Sequence, residues 1–437
     1  MKKTRLLIFS TLLISTAVLF NSCLKDKCSN SATFTEWTPI YVSDAEFRPE
    51  PKMQAARSLK NPGKIYFYDK YMLINELKEG IHVIDNSNVQ SPQNIGFINI
   101  VGNVDLAVKG NILYADSYMD LLAIDISTIA QPRLVKRTQD VFQGQFWRDP
   151  QRGWLVGYNQ QKVTKEIDCN DPRLSGGGGW FRQGDIIFSS SSCVSCNKSS
   201  FPTSATASPG AAPTASGTGG SLARFTLISD YLYTINNSQV QIFNVKKLDN
   251  PILATSLNVA WNIETLFPFG DKLFIGSTTG MFIYDVSDPL KPVQFSNFTH
   301  ARMCDPVVAE GNKAFITLHD GTTCQGFNNQ LEIVDITNLR TPQLLKIYPM
   351  KNPKGLSILD NILYLCDDGF KIYDVTNTND VDKNLKAHIA GFDTYDVIAY
   401  NNGKQKVAMV IGKDGFYQFD VTNASLPKEL SKIPVVK

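Results

Sequence analysis

Catalytic signatures, histidine and helix-forming patterns are what this 437-residue sequence has least of. No HExxH, P-loop, GxSxG or GxGxxG arrangement occurs, so the sequence makes no positive case for an enzyme. The four histidines, His82, His300, His319 and His388, are scattered, and no cofactor or metal is expected from their spacing. Charged residues make up only 19% and the formal net charge is +2. A basic stripe of the kind that marks nucleic-acid binding is missing, which excludes that partner class. Beyond the first 22 residues there is also no amphipathic run of useful helical length, which leaves an all-β chain.

The N-terminus carries Lys2, Lys3 and Arg5, then an uncharged apolar run from Leu6 to Phe20. That is the charged and hydrophobic architecture of a secretory signal over residues 1–22, and it falls short of the roughly 20 apolar residues a membrane span needs. Phe20-Asn21-Ser22-Cys23 resembles a lipobox, which implies cleavage before Cys23, lipidation of that cysteine and a mature chain tethered through residues 23–35. Three acyl chains, each buried methylene contributing about 0.8 kcal/mol, would anchor it permanently.

Eight cysteines fit an exported, oxidising setting. With Cys23 set aside, an odd number remains. Cys304 and Cys324 lie in one repeat and are expected to bridge. Cys28, Cys169, Cys193 and Cys196 supply up to two more bridges of undetermined connectivity. Cys366, inside Ile362-Leu363-Tyr364-Leu365-Cys366, reads as a small buried hydrophobe.

What the sequence does have is a repeat. A short apolar run ending in Asp or Asn and a β-branched residue recurs at Asp85, Asp125, Asn244, Asp285, Asp335, Asp374 and Asp420. The spacing is that of a four-stranded propeller blade, about 40 to 50 residues, except for a gap of about three periods between 125 and 244. Around Asp285 four apolar, β-branched stretches are separated by Gly270-Asp271, Thr279-Gly280 and a Pro-containing corner, the pattern of an antiparallel meander. The repeated Asp is expected to accept backbone N–H groups two or three residues on, an Asx turn that stops the third strand and aims the fourth.

The segments Gly80-Ile81-His82-Val83-Ile84-Asp85, Gly280-Met281-Phe282-Ile283-Tyr284-Asp285-Val286-Ser287-Asp288-Pro289 and Leu331-Glu332-Ile333-Val334-Asp335-Ile336 closely resemble the LVIVD repeat, a propeller-forming unit of bacterial surface and secreted proteins. With the lipobox, the layout resembles lipoproteins of Bacteroidetes-type bacteria. The resemblance implies a β-propeller of seven to eight four-stranded blades over residues 36–437 and brings no shared catalytic residues with it. An eighth blade would come from Gln143 to Trp147, Gly153 to Tyr158 and Lys162 to Asp168. Trp37 to Val42 is expected to pair with the last unit and close the ring. Residues 170–220, rich in Ser, Gly, Ala and Pro, read as a flexible insertion.

Propellers bind ligands where the inner strands converge. Counting back six or seven residues from each first-turn Asn or Asp gives Asp105, Arg224, Glu264, Asp305 and Lys354, to which His300 and Arg302 are near. These form either a ligand site at one mouth or a polar collar between blades. Trp147, Trp154, Trp180 and Trp261 are either blade packing or a platform for sugar stacking. The expected function is a membrane-tethered binding or scaffold propeller of the outer membrane, on the surface or the periplasmic face, whose partner is an envelope protein or an extracellular polymer. The alternative is a glycan-active lyase or hydrolase using the funnel residues.

Overall fold

The structure, a computed structural model, describes residues 29–142, 146–168, 180–183, 186–190, 218–236, 238–260, 263–277, 280–299, 306–319 and 329–436. They divide between two compact units, one from residues 1–41 and 155–197 and one from 42–154 and 198–437.

In the larger unit, each apolar run of the sequence repeat is the third strand of a four-stranded antiparallel sheet. Blade 1 is Pro62–Tyr68, Tyr71–Glu76, Gly80–Asp85 and Gln93–Asn99, and blade 2 is Leu106–Lys109, Ile112–Ser117, Asp120–Asp125 and Arg133–Thr138. Blade 3 follows only at Phe225–Ile228, Tyr231–Asn236, Gln239–Asn244 and Ile252–Asn258. Blades 4 to 7 have inner strands Ile263–Phe269, Val307–Glu310, Leu356–Leu359 and Thr394–Asn401, and the outer strand of blade 7 is Lys428–Pro434. Inner strands of successive blades are neighbours all the way round, blade 7 returning to blade 1. Seven blades close the ring among the described residues.

The middle strands are buried on both faces, as in Gly80–Asp85 and Lys272–Ser277, because each sheet is sandwiched between two others. Apolar packing therefore runs from blade to blade, and the strands read as near-continuous apolar runs rather than alternating ones. The outer strands, such as Gln343–Pro349, are mostly exposed.

The repeated side chain behaves as its sequence context predicts. Oδ1 of Asp85, Asp125, Asn244, Asp285, Asp335, Asp374 and Asp420 accepts the backbone N–H two residues on, at 2.8 to 3.0 Å in every blade. The corner so formed also receives the preceding blade. Tyr114 donates to Leu248 O (2.7 Å), Tyr233 to Pro289 O (2.7 Å), Tyr348 to Thr378 O (2.5 Å) and Ser431 to Val89 O (2.7 Å). Gly280 and Gly415 open the third strand with φ of 150° and 141°. A Cβ there would lie 2.4 and 2.3 Å from the outer-strand carbonyls of Phe298 and Ile433, so only glycine fits.

Two expectations change. Residues 153–168 form one uninterrupted strand rather than two strands of an eighth blade; Asn159-Gln160-Gln161 offers no glycine and no positive φ at which to turn. That strand belongs to a separate antiparallel sheet with Ser29–Val42, Ile186–Ser190 and Trp180–Gln183. Trp37 pairs with Ile187 there, not with the last blade. Each of blades 1 and 7 is complete from contiguous sequence, so the ends join differently: Leu59 bridges Val435, and the amides of Asn86 and Gln418 bond each other reciprocally at 2.9 and 2.8 Å. Within residues 23–35 and 170–220 the described residues include strands from Ser29 and at 180–183, 186–190 and 218–219, and most of the 170–220 stretch lies outside the described residues. The gap of three periods in the sequence is thus one blade step plus an excursion.

The central channel as candidate functional site

Polar residues stand at or near the start of several inner strands, and three of them, Lys64, Asp105 and Asp396, are buried. Asp105, ahead of blade 2, is a junction. Its Oδ2 accepts Lys64 Nζ from blade 1 (2.5 Å) and the backbone N–H groups of Arg224 (2.5 Å) and Phe225 (3.0 Å) leading into blade 3. Oδ1 accepts its own neighbour, Leu106 N, at 2.7 Å. The Lys64 and Asp105 side chains are 7% and 4% exposed, and burial holds the Lys64 ammonium below its usual range. Asp116 lies behind them, its Oδ1 accepting Asn103 Nδ2, Val104 N and Asp105 N at 2.8, 2.8 and 2.9 Å. Burial pushes its carboxyl up to about 6.

Arg224 and Glu264, from blades 3 and 4, face each other electrostatically. Burial raises Glu264 to about 7 against the opposing pull of Arg224, which also acts on Asp116 and Lys64. Asp396, in the inner strand of blade 7, is 1% exposed. Oδ1 accepts Ser221 N (2.9 Å) and Ser221 Oγ (3.1 Å), while Oδ2 has no hydrogen-bond partner among the described residues. Burial brings this carboxyl to about 7.

Between these side chains runs the chain itself. Residues 218–225, the return leg of the insertion, cross the channel as a strap. Thr218 and Gly219 pair with Phe67 and Tyr66 on the inner edge of blade 1. Gly220 lies against Asp396, whose Oδ2 is 2.0 Å from where a Cβ would stand. Ser221 Oγ accepts Leu356 N of blade 6 at 2.6 Å, and Ala223 O accepts Leu266 N of blade 4 at 2.8 Å. With Arg224 and Phe225 held by Asp105, the strap touches blades 1, 2, 4, 6 and 7 before it becomes the inner strand of blade 3.

Of the residues proposed from sequence, the structure gathers Asp105, Arg224 and Glu264. Lys354 is engaged elsewhere, its Nζ 2.6 Å from Asp393 Oδ1 and over the Tyr395 ring. His300, Arg302 and Asp305 lie outside the described residues, as do Cys23, Cys28, Cys169, Cys193, Cys196, Cys304 and Cys324. Cys366 is a free, fully buried thiol that burial pushes far above its usual range. His82 is buried beside Glu76, 2.9 Å away, and His388 contacts Asp368 O at 2.8 Å. No cluster of three His, Cys, Asp or Glu suited to a metal exists among the described residues. Trp154 is packed, stacked on Phe47 at 4.3 Å with Tyr118 on the other face at 4.7 Å. Trp147 is exposed, and the side chains of Trp180 and Trp261 lie outside the described set.

Lys64, Asp396 and Ser221 were missed. Six back from Asn402 reaches Asp396, whereas Lys64 stands five before Asp69, so the count reaches the first and misses the second by one position. Ser221 carries no such signal, standing at the tail of a low-complexity run.

Comparison with known proteins agrees on the unit. The LVIVD repeat matches residues 103–140, which is blade 2, and 323–349, which includes the third and outer strands of blade 5. The chain thus carries matches to the LVIVD repeat in two regions. No curated protein is detectably similar to the chain. Similar solved structures include the computationally designed Ika8 protein (TM-score 0.48, 9% identity, 87% of this chain and 90% of that one). Others are Saccharomyces cerevisiae Sqt1 (0.46, 10%, 83% and 96%) and a protein from Lactobacillus plantarum (0.47, 11%, 82% and 95%).

Proposed function

We propose that this LVIVD-repeat propeller is a non-enzymatic binding or scaffold module of the bacterial cell envelope, held to the outer membrane by lipid on Cys23 and presenting its surface to an envelope protein or extracellular polymer. The observation that carries this reading is the occupied channel. Where propellers commonly receive a ligand, this one holds its own residues 218–225, and Asp105 is committed to Lys64 and two backbone N–H groups. Hydrolysis or elimination requires an acid and a base converging on one open point, and among the described residues Asp105 is taken up by these contacts. One observation favours the glycan-active alternative: Glu264, brought to about 7 opposite Arg224, has the proton affinity of a general acid at neutral pH.

The test compares crosslinked capture from intact cells by the wild type, by Cys23→Ala, by a chain whose residues 191–217 are replaced by Gly-Ser sequence of equal length, and by Glu264→Gln. The expected result is loss of membrane fractionation in Cys23→Ala, and capture of the same partner by wild type and Glu264→Gln. Glycan turnover by the wild type that disappears in Glu264→Gln would overturn the scaffold reading.

A further inference from the structure

The strap combines two features not needed to build a blade: it bonds to five blades across the axis, and it is pinned on a carboxyl with one oxygen buried and unpartnered. We propose that residues 218–225 are a proton-controlled latch, which neutral Asp396 holds in the channel and ionised Asp396 releases.

The pin is local. Asp396 Oδ1 takes both the N–H and the O–H of Ser221, and the same hydroxyl oxygen takes Leu356 N, so Ser221 is wedged between blades 6 and 7. A neutral carboxyl keeps that acceptor oxygen and leaves no charge in the channel. An ionised one places charge on Oδ2, which faces the Cα of Gly220 and has no hydrogen bond, and an uncompensated buried charge is costly. Opening the strap would hydrate it.

The Val397 N–H draws the Asp396 carboxyl towards ionisation, but no described side chain supplies a partner for Oδ2. From blade 1, Lys64 pulls towards ionisation, but its ammonium already donates to Asp105. From blade 6, Cys366 is a buried thiol that senses Asp396, and Lys354 donates to Asp393, the acidic residue just before the inner strand of blade 7. At the far end of the strap, Arg224 acts on Glu264 and Asp116. Burial holds Asp396 at about 7 in the latched state, whereas a hydrated carboxyl titrates near 4, so linkage predicts an opening constant about thirtyfold larger at pH 8.5 than at pH 5.5.

Cys366 is a native reporter, buried beside Asp396. In the full-length chain, its alkylation rate is followed by mass spectrometry of the peptide that contains it and normalised to the unfolded chain at the same pH. The expected results are a rise of about thirtyfold from pH 5.5 to 8.5 in the wild type, a flat profile in Asp396→Asn, and fast labelling at both pH values in Ser221→Ala. Glu264→Gln is expected to keep the wild-type rise. A flat wild-type profile, or the same rise in Asp396→Asn, overturns the latch. Should Asp396→Asn not fold, amide exchange of residues 218–225 in the wild type decides: protection, corrected for intrinsic rate, that persists at pH 8.5 overturns it, and protection present at pH 5.5 and lost at pH 8.5 supports it.

Discussion

The blades and the channel of this propeller are held by the same kinds of group used in opposite ways. At each blade corner a carboxylate or amide accepts an N–H two residues away, is half-buried, and does its work within one repeat. In the channel, Asp105 and Asp396 accept from residues 119 to 175 positions distant, are buried, and join blades that share no local sequence. The corner carboxylates Asp85, Asp125, Asp285, Asp335 and Asp374 are held below their usual range, Asp125 at about 2 through the Ser127 N–H. The channel carboxyls Asp116, Glu264 and Asp396 are raised by burial. Local capping therefore favours charge, while distant stapling pays in desolvation.

The largest expected effect separates the two. Asp105→Ala leaves the buried Lys64 ammonium and two backbone N–H groups without their acceptor, and breaking such a buried pair costs about 3–5 kcal/mol. Asp374→Ala removes one corner hydrogen bond and a partly exposed ion pair with Lys386, together worth about 1–2 kcal/mol. Urea unfolding of both variants measures this. Equal losses would mean that the channel is no more than another set of turns.

The second effect is on pH. Asp396 is raised in the folded state, so the folded chain keeps a proton that the unfolded chain loses above about pH 4. Stability from this group therefore falls as pH rises from about 4 to about 7 and is level above that. Between pH 5 and pH 8 the fall is on the order of 2 kcal/mol, and Glu264 adds to it in the same direction. The lowered corner carboxylates have the opposite sign, their contribution present above about pH 4 and lost below it, so they leave the window from pH 5 to 8 undisturbed. Denaturation midpoints of wild type, Asp396→Asn and Glu264→Gln across that window check it, each variant being expected to flatten the slope. A wild-type stability that rises from pH 5 to pH 8 would assign the channel carboxyls an ionised, paired state.

The same contrast explains what was legible in the sequence. The Asp repeat, its Asx turn and the strands between 263 and 299 could be read because every interaction involved lies within about forty residues of its partner and recurs seven times. Blade 3 was displaced from its period because the 139–224 excursion has a length close to two further repeats, and no local signal distinguishes a long strand such as 153–168 from two short ones except the absence of a turn residue. The channel was half legible: a counting rule finds which residues begin inner strands, as it did for Asp105, Arg224 and Glu264, but it has no means of showing that the chain itself passes among them. Ser221 has a role only because Leu356 and Asp396, each more than 130 positions away, arrive on either side of it.

The smallest effect tests whether the repeat is as local as this account requires. Gly280 and Gly270 both have positive φ in blade 4, at 150° and 60°, yet their surroundings differ. A Cβ at Gly280 would meet Phe298 O of the outer strand at 2.4 Å, whereas one at Gly270 would meet nothing within 4 Å. Gly270→Ala is expected to lose about 1 kcal/mol, the cost of a left-handed alanine, with strand pairing intact. Gly280→Ala carries in addition a backbone clash that only movement of the 293–299 strand relieves, so it is expected to lose at least about 1 kcal/mol more and to increase amide exchange along that strand alone. Exchange that spreads into the channel, at 218–225, would show that blade and strap are one cooperative unit, and the division between local corners and distant staples would then describe how the fold is encoded rather than how it is held.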